Sequence, residues 1–182
     1  MGLRDYCFDG KRKLELKELP AGAWEEGLSK KDKARCIADT QKNLACIASL
    51  QDKLYAAGKE GIVVILQAMD AAGKDSTIKH VMRGVNPQGV DVVSFKQPTS
   101  EELRHDYLWR AHRALPERGK IAIFNRSYYE DVLVVRVHRM QKGYAMAQRC
   151  VDAPDKAFFE KRYKQIRDFE EYLYENSYRV VK

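Results

Sequence analysis

Hydrophobic residues fall along this chain in short β-branched bursts, separated by longer stretches in which apolar positions recur at helical spacing. Three bursts read as strands: Ile62 to Gln67, Val90 to Phe95 and Lys120 to Phe124. Helical spacing fills the gaps, from about Lys74 to Arg83 and from Thr99 to Glu117. Ahead of them Ser29 opens a helix with Asp32 in the capping-box position, and Ile37, Leu44, Ile47 and Leu54 recur until Gly58, which predicts a packing helix. Past the third strand, "NRSYYEDVLVVRVHRMQKGYAMAQRC" reads as a helix followed by a basic excursion through Lys142 and Gly143. A long helix then starts near Pro154, placed as an N1 proline, with Phe159, Tyr163, Ile166, Phe169 and Leu173 on one stripe.

Strands alternating with helices predict an α/β domain, a parallel sheet with helices on both faces. The chain of 182 residues suits one such core. Residues 29–182 are expected to form it, and residues 1–28, with turn formers and no sustained period, an arm on the core or toward a partner. The closing "YRVVK" reads as the opening of a strand, so the chain is expected to be a truncated form of a longer one.

Composition narrows the class of molecule. Hydrophobic residues make up 45% and charged residues 32%, as in ordinary soluble globular proteins. The longest apolar run, Ile62 to Leu66, is far below the roughly 20 residues that span a bilayer, so no membrane association is expected and the cytoplasm is the expected location. Cys7, Cys36, Cys46 and Cys150 have no metal or disulfide spacing and read as reduced thiols. The net charge of +7 favours polyanions; nucleic acid, nucleotide and longer phosphate chains all satisfy it.

The first strand feeds "AMDAAGKDS", nearly a P-loop, whose usual spelling is Gly, four residues, Gly-Lys and Ser or Thr. Here Ala68 replaces the first Gly and Asp75 the hydroxyl residue. The helix start after such a loop offers N–H groups and a partial positive charge to phosphate oxygens, so Ala71, Ala72, Gly73, Lys74, Asp75, Ser76 and Thr77 are the expected cradle. An ordinary βα turn with a solvated lysine is the alternative. A carboxylate inside a phosphate cradle repels its ligand unless a cation lies between them, which points to Asp70 either as a Mg²⁺ ligand, making the hydroxyl dispensable, or as a base beside an attacking phosphate. The plainer reading has Asp70 bonding the amides of its own turn.

The third strand ends in Asn125 and Arg126. The amide is a weak metal ligand; the arginine, at the carboxyl end of a parallel strand, suits bidentate contact with phosphate. Arg136 and Arg139 share a helix face, and with Lys96 and Arg110 they are further candidates for holding a polyanion, although basic runs are more often solvated surface. Tyr128 and Tyr129 read as core packing. Two function classes remain open at this point: an ATP-dependent P-loop kinase for a small metabolite, and an inactive protein that binds polyanions.

"MDAAGKD" at Met69 to Asp75, "KQPT" at Lys96 to Thr99, "LWRAHRALPERG" at Leu108 to Gly119 and "FNRSYYEDVLVVRVH" at Phe124 to His138 together resemble the second family of polyphosphate kinases. The resemblance runs from about Ser29 to the end. It implies a P-loop kinase-like, thymidylate-kinase-like three-layer sandwich with a parallel sheet and a helical lid at about 128–160. It also implies Mg²⁺-dependent phosphoryl transfer between inorganic polyphosphate and adenine or guanine nucleotides, with AMP or ADP as acceptor, in a homodimer or homotetramer, and without nucleic acid. By position it gives Asp70 the metal, Lys74 the phosphate and Arg126 the arginine of the second motif, with Asn125 and Glu130 beside the metal in a subgroup acting on both AMP and ADP.

Overall fold

The computed structural model describes residues 29–182 and, ahead of them, Glu15, Lys17 and Gly27. The expected arm at 1–28 and its Cys7 otherwise lie outside the described residues. The chain divides into two compact units, before and after the junction of Asn43 and Leu44. In the first, Ser29 caps a 3-10 turn at Lys30–Asp32 through the reciprocal bonds that the sequence predicts, and Ile37 on the following helix is about half exposed. That helix, α1 (Lys33–Ala57), runs on into the second unit.

The second unit is built on four parallel strands: β1 (Gly61–Leu66), β2 (Val90–Ser94), β3 (Ile121–Asn125) and β4 (Tyr178–Val181), in the order β2-β3-β1-β4. Closing "YRVVK" therefore does pair, against β1. Gly61 is required there, because a Cβ would lie 2.5 Å from the Tyr178 ring of β4. The helices are α2 (Lys74–Val81), α3 (Trp109–Arg113), α4 (Val134–His138), α5 (Gln148–Val151) and α6 (Asp155–Glu175).

One sheet face carries Val63, Ile65, Ala122 and Phe124, all buried, and α6 covers it with Phe158, Phe159 and Ile166. The predicted stripe of α6 thus faces the core, with Pro154 standing one residue outside the helix as its N-cap. α1 fits its prediction less well. Leu44, Ile47 and Leu54 are half-buried, Leu50 is exposed, and Gln51 is the one fully buried side chain. Its close approach is made possible by Gly89, where a Cβ would lie 1.8 Å from the Gln51 amide nitrogen.

Two predicted helices are broken. From Thr99 to Glu117 a Thr99–Glu102 capping pair (2.8 and 3.2 Å) starts only a 3-10 turn at Glu102–Arg104. His105 is then extended, and the Asp106 carboxylate accepts the Leu108 N–H at 2.9 Å to begin α3 afresh. Short polar side chains that bond the backbone locally compete with helix propagation in this way. After β3, a 3-10 turn at Tyr128–Asp131, α4, and a second turn at Met140–Gly143 replace one helix, with the break at Arg139 in the left-handed region.

Candidate active site

The carboxyl ends of β1 and β3 lie side by side, with Leu66 opposite Asn125, and the chain leaves them in opposite directions: β1 toward β2 at one edge, β3 toward β4 at the other. Divergence of this kind opens a crevice where parallel sheets take their ligands. The Arg126 N–H donates to the Leu66 carbonyl (3.0 Å), tying the two strand ends together.

Into this crevice the loop after β1 winds back on itself, with Ala71 (φ 60°) and Gly73 (φ 88°) in the left-handed region, and Gly73 stands as N-cap of α2. An L residue other than glycine is rarely found at such φ, so Ala71 is held there by its surroundings. Asp70, Ala71, Ala72, Gly73, Lys74, Asp75 and Ser76 line a cavity of about 610 Å³ together with Lys96, Asn125 and Arg126. Ser94 and Phe95, from the end of the second predicted strand, and Gln97, from the KQPT motif, complete its wall, although no site role had been expected for them.

Several of the cavity's polar side chains are bonded to one another or to their own loop. Arg126, itself at φ 63°, makes an ion pair with Asp70. The Lys74 ammonium donates to the Ala68 (3.0 Å) and Met69 (2.8 Å) carbonyls. Asn125 donates its amide to Asp75 at 2.6 Å. A glycine-lysine helix start, a carboxylate and an arginine thus share one basin large enough for a chain of phosphates.

A family model described as "Polyphosphate kinase 2 (PPK2)" matches residues 27–182. The chain belongs to the polyphosphate kinase 2 family. It is 49% identical over 138 residues to an ADP-polyphosphate phosphotransferase of Rhodopseudomonas palustris, covering 75% of this chain and 47% of that protein. An AMP/ADP-polyphosphate phosphotransferase of Meiothermus ruber is 47% identical over 136 residues, with 75% and 46% covered. Among solved structures, polyphosphate kinase 2 from Arthrobacter aurescens superposes with a TM-score of 0.65 at 40% identity, covering 80% of this chain and 50% of that one. The chain spans about half the length of the curated relatives it matches.

The remaining expected residues of this family member are distributed differently. Thr77 lies inside α2, its N–H on the Gly73 carbonyl (2.9 Å), and does not line the cavity. Arg110 stands behind the wall, donating to the Lys96 carbonyl (2.8 Å) with its guanidinium over the Phe95 ring. Glu130 accepts from Gln67 (2.7 Å) and lies 3.8 Å from Arg126. Arg136 and Arg139 are not brought to the cradle. Arg136 donates to the Tyr163 hydroxyl beside a second cavity, and Arg139 is 3.7 Å from Asp155.

Among the described residues no group of three His, Cys, Asp or Glu could enclose a metal. That donor set fits magnesium all the same, since this ion usually takes one or two carboxylates and fills its octahedron with water and substrate phosphate. Asp70, 82% exposed on the cavity wall, is such a carboxylate.

Behind the cradle lies a second acid–arginine pair of opposite character. Asp131 and Arg162 are both mostly buried and 3.8 Å apart, with the guanidinium 3.6 Å over the Tyr107 ring. Burial pushes the Asp131 carboxyl up to about 6 against the pull of Arg162 and Arg110. Burial likewise pushes the Tyr107 hydroxyl up to about 12. Tyr128 and Tyr129, expected as core, pack there and also donate to Glu170 (2.9 and 2.8 Å), which Lys182 pairs at 2.6 Å.

Proposed function

We propose that this chain carries the catalytic centre for Mg²⁺-dependent phosphoryl transfer between inorganic polyphosphate and AMP or ADP. One observation carries the reading: Lys74, Asp70 and Arg126 converge from adjacent strand ends on a single cavity. The names of the two relatives support polyphosphate and adenine nucleotides as the substrates.

Phosphoryl transfer asks for alignment and charge neutralisation rather than covalent work by the protein. The α2 N-terminus and Lys74 hold oxygens of the donor chain. Arg126 exchanges Asp70 for the oxygens of the transferring group, which its guanidinium matches bidentately. Asp70, so released, would hold the magnesium ion, which would supply charge neutralisation at the transferring phosphate. Asn125 and Glu130 hold Asp75 and Arg126 in place around that centre. Residues 128–160 act as a lid over it, and the protein works in the cytoplasm as a homo-oligomer.

Incubation with Mg²⁺, polyphosphate and AMP or ADP, followed by nucleotide chromatography, is expected to yield ADP or ATP, and chelation of the metal to stop it. A folded, full-length sample that yields neither overturns the reading.

A further inference from the structure

Gln67 is the first residue after β1, and it occurs in none of the chemistry that the motif supplies. Its carboxamide nevertheless connects the floor of the crevice to the arginine in its mouth. The Ser127 hydroxyl accepts the Tyr129 N–H (3.1 Å), so its own hydrogen is left to donate to Gln67 Oε1 (3.2 Å). Glu130, whose carboxylate can only accept, fixes which end of the amide is which. The Gln67 NH₂ therefore faces Glu130, to which it donates at 2.7 Å. The same Glu130 oxygen lies 3.8 Å from the Arg126 guanidinium.

Arg126 thus sits between two carboxylates of different standing. Asp70 is 82% exposed on a loop, whereas Glu130 is 21% exposed and held by an amide that is held in turn. Ser127, the last link, is 3% exposed. When phosphate draws Arg126 from Asp70, Glu130 is the anchor that remains.

We propose that Gln67 is a positioning residue for the transfer centre, locking Glu130 through an amide anchored on Ser127 and so aiming Arg126 at the migrating phosphoryl group. This rests on the phosphoryl-transfer reading above. Gln67 touches no substrate; it acts through Glu130, and misplacing a transition-state contact by an ångström is costly even when the group itself is intact.

The test compares Gln67→Met, which keeps the length but loses both bonds, with Gln67→Glu, which keeps the acceptor for Ser127 but sets a second carboxylate against Glu130. Gln67→Met is expected to lower kcat by roughly 10- to 100-fold with a smaller change in KM and an unchanged melting temperature. Gln67→Glu is expected to do at least as much harm, because the like charge pushes Glu130 away. Tripolyphosphate affinity by calorimetry, which needs no turnover, is expected to fall with both variants. Wild-type turnover that survives both substitutions overturns the inference alone, as does a loss of kcat fully accounted for by a lowered melting temperature. A wild-type chain without turnover overturns the transfer reading, and unchanged tripolyphosphate affinity in both variants then overturns the role of Gln67 as well.

Discussion

Two acid–arginine pairs, Asp70 with Arg126 and Asp131 with Arg162, sit in neighbouring parts of one domain and behave as opposites. The first lies in the mouth of the crevice, its carboxylate 82% and its arginine 36% exposed. Water screens it, so it can be exchanged for phosphate and metal at little cost. The second is 15% and 9% exposed and walled by Tyr107 and Phe158. There the charges have few other partners, and the pair ties the segment after β3 to α6. The same two side-chain types serve ligand exchange in one setting and architecture in the other, and the difference is the amount of water each keeps.

Breaking the buried pair is the largest test of that contrast. Arg162→Ala leaves Asp131 buried without its partner and is expected to lower the unfolding free energy by roughly 3–5 kcal/mol in urea titration. A loss no larger than that of a surface residue would erase the distinction. Asp70→Asn is expected to do the reverse: turnover of polyphosphate and nucleotide falls by roughly 100-fold or more while stability moves by less than about 1 kcal/mol. Comparable turnover in that variant would remove Asp70 from the centre.

A smaller effect separates the pairs by pH. Asp131 has its carboxyl raised in the folded protein, so its contribution to stability is complete below the ordinary carboxylate range near 3.8 and is lost as pH rises toward about 6. The stability of wild type relative to Asp131→Asn is therefore expected to decline between pH 4 and 6, by at most about 1.4 kcal/mol per pH unit. A flat difference over that interval would mean the carboxyl is not buried as described. Arg139→Ala is the smallest case: its link to Asp155 is 3.7 Å long and the arginine 78% exposed, so a change below about 0.5 kcal/mol is expected. A larger loss would show that exposure is not the governing variable.

Much of this could be read from the chain. Ile62 to Leu66 followed by Gly73 and Lys74 located β1, the loop and α2 to within a residue or two, because β-branched bursts and a glycine-lysine helix start are local signals. The Ser29–Asp32 cap and the α6 stripe were legible for the same reason. The segment from Thr99 to Glu117 misled, since its apolar spacing is helical while Asp106 captures a backbone N–H and resets the chain. Grouping Arg136 and Arg139 with the cradle followed from charge and a shared helix face, and neither says that Arg136 has a tyrosine on α6 as its partner.

By itself the sequence determined that strands alternate with helices, that a phosphate-type loop follows the first strand, and that an acid and an arginine stand near strand ends. Each of these rests on residues within a few positions of one another. Only the tertiary structure decided that Asp70 meets Arg126, that Gln67 reaches Glu130, and that Asp131 and Arg162 are buried beside each other. Those pairings join residues far apart in the chain, and they depend on β3 inserting between β1 and β2, a choice of strand order that no local pattern encodes.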